Sequence, residues 1–240
     1  RTTRRGWLHD GIWCAGSVAD DTLSSALLGM LVTDLCGLET SARTQQYDVR
    51  RFLLAVLLHD LHEALLGDLT WRSSRYLQQA GISELGETAY SWKTRQYAKA
   101  VEATPLSDCV LVRDLGEELA RAETPMAEDV RVVDKLDMLL QAFAYEKGGH
   151  QDLDEFWETP LEQAKNPLFE HLWRSLFRRR EAWRQRRFGS AVPIGPAIVA
   201  SASHENRESS GAGPESVHQA LASIIAWAES LAAAKVQQFD

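Results

Sequence analysis

The sequence predicts an all-α fold, and three features point to it. Apolar residues recur at spacings of three and four through most of the chain, the pattern of a buried helix face. No stretch alternates apolar and polar residues with the period of two that a half-buried strand requires. The apolar runs are bounded by capping residues on one side and glycines on the other.

Taken in order, Ser17-Val18-Ala19-Asp20 resembles a capping box with Asp in place of Glu. It opens a helix through Leu35, with Leu23, Leu27, Leu28, Leu31 and Val32 on one face, and Cys36-Gly37 ends it. Asp48 can cap a second helix. Its 52–58 run is apolar all round, the mark of a helix in the middle of a bundle. That helix is expected to continue through His59-Asp60-Leu61-His62-Glu63 to Leu66 and to stop at Gly67. Further helices are predicted over 89–103, 108–122 and 129–145, the last closed by Gly148-Gly149. Another covers 162–187, where Trp173 and Trp183 accompany a dense arginine run. Residues 189–214 are rich in Gly, Pro and Ser and read as a linker or loop. A last helix, from Glu215 to Gln237, is expected to dock on the bundle, because alone it would expose Ile224, Ile225, Trp227 and Leu231.

The 240 residues are 45% hydrophobic and 25% charged, ordinary for one packed domain with an appendage. A net charge of −8 and a pI near 5.4 argue against a general binder of nucleic acid or of an anionic membrane. Cys14, Cys36 and Cys109 show no paired spacing, so neither a disulfide framework nor a thiolate zinc site is indicated, and a reducing, cytoplasmic setting is expected. The run at 52–58 is too short to cross a bilayer, and 224–236 carries Glu229 and Lys235.

The chemistry gathers at His59-Asp60, followed by Glu63 and Asp68. Burying imidazole and carboxylate together is costly unless a charge compensates. A divalent cation with mixed nitrogen and oxygen ligands would do so. A bare His-Asp pair is common, and its ordinary reading is the solvated end of a helix. The order of the whole set changes that reading. It runs from Gly6-Trp7 through Ser17-Val18-Ala19-Asp20-Asp21 to His59-Asp60-Leu61-His62-Glu63-Ala64-Leu65-Leu66-Gly67-Asp68-Leu69-Thr70. Asp134-Lys135-Leu136-Asp137-Met138, Gln141 and Tyr145-Glu146 follow. This succession resembles the HD-domain metal phosphohydrolases, most of all their 5′-deoxynucleotidase branch, over residues 4 to 160. The chain then divides into an HD-domain helical bundle over 1–160, a helical extension over 161–188, the linker over 189–214 and the C-terminal helix over 215–240.

Position by position, the resemblance implies metal ligands at His59, Asp60 and Asp134, with Asp21 where the family has a histidine. It implies that Glu63 works with the attacking water, that Asp68 lies near the sugar and that Trp7 lies against it. The implied activity is hydrolysis of a (deoxy)nucleoside 5′-monophosphate or a related small phosphate ester, with Mg²⁺, Mn²⁺ or Co²⁺ as cofactor. The implied partners are that small molecule and a second copy in a homodimer, with no nucleic acid and no membrane.

The departures from the family pattern matter as much. Asp21 gives three aspartates and one histidine, a set suited to Mg²⁺ or Mn²⁺ rather than to softer ions. It also adds a negative charge to a site meant for a phosphate dianion. Asp10 and Cys14 stand where the family has basic residues, and Gly16 where it has a glutamate. Arg4, Arg5, Lys93 and Arg95 are the cations that could replace them. Two other readings therefore stay open: an HD-fold enzyme with altered or metal-free chemistry, and a pseudoenzyme that binds a protein partner. His62 reads as a partly exposed residue at the helix edge. Arg178, Arg179, Arg180, Arg184, Arg186 and Arg187 read as a solvated face, with Trp173, Phe177 and Trp183 packed on the bundle beneath them.

Overall fold

A computed structural model of the chain describes residues 2–13, 15–35, 48–68, 70, 89–158 and 167–189, together with 222, 223, 226 and 230. Among the described residues nine helices have defined bounds. They are α1 (Arg5–His9), α2 (Val18–Leu35), α3 (Val49–Leu58), α4 (Glu63–Leu66), α5 (Ala89–Glu102), α6 (Val110–Arg121), α7 (Pro125–Lys147), α8 (Asp154–Trp157) and α9 (Pro167–Phe188). The described residues contain no strand, only an isolated antiparallel bridge between Thr3 and Ser17. The fold is all-α.

The helix starts follow from side-chain chemistry. Asp20 Oδ2 accepts from the Ser17 N–H at 2.7 Å, while Ser17 Oγ accepts from the Asp20 N–H at 3.2 Å, so the capping box closes in both directions. Asp48 Oδ1 accepts from the Arg50 N–H at 2.9 Å and starts α3. The helix expected from residue 129 begins earlier. Thr124 Oγ1 accepts from the Ala127 N–H at 3.2 Å, and Pro125 takes the first helical position, where no N–H partner is needed.

α7 is the centre of the bundle, a place the sequence pattern assigned to α3. Fifteen of its 23 residues are buried, and α2, α3, α8 and α9 all pack against it. α3 buries Phe52, Ala55, Val56 and Leu58 but leaves Leu57 46% exposed, so it faces the core on one side only. On α2, Leu28 and Val32 are buried as expected, whereas Leu23 is 58% exposed. The expected single helix over 48–66 is broken. After Leu58 the bonds shorten to the i→i+3 type, with Leu61 N–H on Leu58 O, Glu63 N–H on Asp60 O and Ala64 N–H on Leu61 O. Such tightened turns mark places where a helix gives up regularity to orient side chains.

α9 docks on α7 through aromatics and one buried ion pair. Phe177 meets Trp157 edge-on and Trp183 meets Phe143 edge-on, so these rings do face the bundle. Arg180 does not sit on a solvated face as the arginine run suggested. It is 9% exposed, its Nε donates to Glu146 Oε2 at 2.8 Å, and its guanidinium lies 4.4 Å from the Trp157 ring centroid. Glu146 and the aromatic face together hold what would otherwise be a costly buried charge. The linker beyond 189 and the expected docking of the last helix lie outside the described residues. The four described residues of that helix are exposed.

Two substitutions test this packing by denaturant titration. A Cβ on Gly116 of α6 would come within 2.1 Å of the buried Tyr97 ring of α5. Gly116→Ala is therefore expected to destabilise by about 1–3 kcal/mol, although alanine is favoured over glycine by ~1 kcal/mol in an open helix. Arg180→Met is expected to cost about 3–5 kcal/mol, because Glu146 would be left buried and unpaired.

Candidate metal centre

His59 is the residue on which the site turns. It follows α3 directly, with helical backbone angles, and its ring folds back so that Nδ1 lies 2.7 Å from the Val56 carbonyl oxygen. A carbonyl only accepts, so Nδ1 carries the proton and donates. In the neutral ring Nε2 is then a lone pair. That lone pair lies 3.1 Å from Asp60 Oδ2 and 3.7 Å from Asp134 Oδ1, buried and without a well-directed hydrogen bond. Three electron-rich atoms facing one another require a positive charge between them. Either a proton on Nε2 or a bound cation meets that requirement.

Asp21, from the first turn of α2, completes the group. Asp21, His59, Asp60 and Asp134 each offer one ligand atom, and all four atoms lie within 4.8 Å of one another. They come from three elements: the start of α2, the turn after α3 and the middle of α7. Three carboxylates and one imidazole fit a hard divalent ion such as Mg²⁺ or Mn²⁺.

In the absence of an ion, the proton takes the central place. Burial alone would lower the His59 pKa, but the charges and hydrogen bonds of Asp60 and Asp134 raise it well above 6.5. Burial likewise opposes ionisation of Asp60 and Asp134, yet His59 holds both below the usual carboxylate range. Asp137 behaves differently. Burial pushes its carboxyl up despite hydrogen bonds donated by Ser24 Oγ and Gln141 Nε2.

The remaining expected residues are distributed around this group. Glu63 opens α4 and is buried, and Asp60, His62 and Glu63 form a second group with clustered ligand atoms. His62 is only 9% exposed, which corrects the expectation of a partly exposed residue. Its spacing from Ala55 and Leu58 places it in line with the buried face of α3. Asp68 Oδ2 accepts from the Gly6 N–H at 3.0 Å and so joins the loop after α4 to α1. Arg5 lies over Gly67, whose φ of +78° suits glycine and where a Cβ would meet the guanidinium at 2.8 Å. Trp7 is buried, stacked on Phe156 at 4.5 Å and edge-on to Tyr145 at 5.1 Å. Arg4 pairs with Asp21. Asp10 is half-buried, Gly16 is buried and accepts from the Arg4 N–H, and Cys14 lies outside the described residues. Arg95 is exposed on α5, and the Lys93 side chain lies outside the described residues.

Sequence reasoning missed Ser24, Lys135 and Gln141 as parts of the site. Lys135 acts electrostatically on Asp134, and Gln141 donates to both Asp21 and Asp137. The signal for Gln141 was its place two turns after Asp134 on one helix, which puts both on the same face.

Comparison with known proteins places the chain in a family. The family model described as HD domain matches residues 1–173. The 5′-deoxynucleotidase HDDC2 of Dictyostelium discoideum is 28% identical over 182 residues, covering 70% of this chain and 86% of the relative. The 5′-deoxynucleotidase hdd1 of Schizosaccharomyces pombe is 27% identical over 191 residues, covering 75% and 84%. A solved structure of a conserved hypothetical protein from Pyrococcus furiosus superposes with a TM-score of 0.57 at 28% identity, covering 75% of this chain and 92% of that one. The chain belongs to the HD domain family, on its 5′-deoxynucleotidase-like branch. It is an enzyme of the phosphohydrolase class. The family match extends past residue 160 into α9, and no helix among the described residues is long and apolar enough to cross a membrane.

The His59 arrangement makes a prediction for the metal-free protein. A histidine whose pKa is raised on folding adds stability that is fully present below 6.5 and lost as pH rises through the folded value. NMR of the chelator-treated protein is expected to show His59 titrating above 6.5, with stability falling as pH rises across that window. A His59 titration at or below the ordinary value would contradict the geometry.

Proposed function

We propose that the chain hydrolyses the phosphate ester of a (deoxy)nucleoside 5′-monophosphate, with Asp21, His59, Asp60 and Asp134 holding a divalent cation. The observation that carries this reading is the convergence of those four side chains, with the His59 Nε2 lone pair facing two carboxylates. The substrate class rests on the relatives, which are named as 5′-deoxynucleotidases. Three carboxylate ligands favour Mg²⁺ or Mn²⁺ over Co²⁺.

A bound divalent cation would supply Lewis-acid polarisation of the phosphate and a lowered pKa for the attacking water. Glu63, buried at the start of α4, would accept the proton of that water. The Val56 carbonyl keeps His59 in the tautomer that leaves Nε2 available. Asp68 would act near the sugar while its Oδ2 holds the Gly6 N–H, and so fixes the segment that carries Arg5 and Trp7. Trp7, covered by Phe156 and Tyr145, would serve as a rigid wall of the sugar pocket. Of the cations assigned to the phosphate, Arg4 is committed to Asp21, and Arg5 lies over Gly67 beside the 59–68 segment. Arg5 is therefore the better phosphate contact, with Lys93 and Arg95 as lesser ones.

The test is phosphate release from a panel of nucleoside and deoxynucleoside 5′-monophosphates, with Mg²⁺, Mn²⁺ or Co²⁺ added in turn. Turnover should require the metal and fall by about 10²–10⁴-fold in Glu63→Gln. Asp134→Asn should weaken metal binding and turnover together. Absence of release from every nucleotide with every ion, in a folded protein, would overturn the proposal.

A further inference from the structure

The donor set holds more negative charge than a site for a phosphate ester can easily carry. Three carboxylates and a neutral imidazole have a formal charge of −3. A divalent ion would leave −1, which opposes the approach of a phosphate dianion at short range. Arg4 lies where that charge is generated. Its Nη1 donates to Oδ1 of Asp21, which is only 2% exposed. Gln141 Nε2 donates to the same oxygen at 3.0 Å, so Oδ2 has no protein donor among the described residues.

The backbone holds Arg4 in this place. The Arg4 N–H donates to Gly16 O at 3.1 Å, the Val18 N–H donates to Thr2 O at 2.9 Å, and Thr3 bridges Ser17 between them. This pairing sets residues 2–4 directly against the entry to α2, one turn before Asp21. The Arg4 charge also reaches Asp60 and Asp137.

We infer that Arg4 is the positioning and charge-compensating partner of Asp21, so that the two act as a unit in place of a neutral ligand. With Arg4 the donor set stands at −2, and a divalent cation brings it to formal neutrality. Arg4 and Gln141 both occupy Oδ1 and so turn the carboxylate into a monodentate ligand through Oδ2. Arg4 thus acts through Asp21 and is not a phosphate anchor. This inference rests on the metal-centre reading of the site.

A four-protein cycle tests it: wild type, Arg4→Met, Asp21→His and the double variant. Mn²⁺ binding is measured by calorimetry, and inorganic phosphate binding is measured on each Mn²⁺-loaded protein. Arg4→Met should bind Mn²⁺ as tightly as wild type or more so, and bind phosphate about 10-fold more weakly or worse, because the site gains a negative charge. Asp21→His should weaken Mn²⁺ by about 10-fold or more, since Arg4 then faces the cation without its carboxylate. The double variant should return both affinities to within about 3-fold of wild type, a strong coupling between the two positions. Circular dichroism checks folding, and Arg4→Gln replaces Arg4→Met if the apolar side chain leaves Asp21 too poorly satisfied to fold. Additive losses in the double variant, or loss of Mn²⁺ binding in a folded Arg4→Met protein, would overturn the inference and leave the metal centre standing. A wild-type protein that binds no Mn²⁺ would remove the metal centre and this inference together.

Discussion

The structure around the site depends on one electrostatic constraint: a buried imidazole nitrogen and two carboxylate oxygens converge without a donor of their own. Val56 O takes the Nδ1 proton of His59, so the neutral ring can offer only a lone pair toward Asp60 and Asp134. Positive charge at that point is a requirement of the fold and not an addition to it. The face that α3 buries through Phe52, Ala55 and Val56 runs on to His59 and His62 at helical spacing, and the backbone tightens to i→i+3 bonds after Leu58.

Around this centre the polar residues are arranged in layers of compensation. Asp137 is satisfied by Ser24 and Gln141, and Gln141 in turn reaches Asp21, which Arg4 also holds. Each member leaves the next one better satisfied, as a buried network must if it is not to destabilise the core. α7 carries Asp134, Asp137 and Gln141 on one face and a continuous apolar core on the others. One helix therefore serves both packing and chemistry, and that is why it occupies the centre of the bundle although its composition is less apolar than that of α3.

The second ionic centre, Arg180 with Glu146, follows the same logic away from the site. Glu146 lies five residues beyond Gln141 on α7, and the guanidinium of α9 reaches it across the Trp157 ring. This contact holds α9 on the bundle. It also ties the part of α9 beyond the family-matched region to the bundle.

Much of this was legible in the amino-acid order. Helical spacing, the Ser17–Asp20 box, the Asp48 cap and the glycine stops determined the all-α class and most helix positions, because these signals act within a few residues. The ordered set of His59, Asp60, Glu63, Asp68 and Asp134 marked the candidate site for a related reason: side chains proposed to hold an ion, or to work beside it, must be of fixed chemical types. What the sequence could not determine was which charges face one another. The pairing of Arg4 with Asp21, the burial of His62 and Arg180 and the exposure of Leu23 each arise from contacts between segments far apart in the chain. Only the tertiary structure decided them, because local patterns specify which side of a helix is apolar, while long-range packing specifies what that side meets.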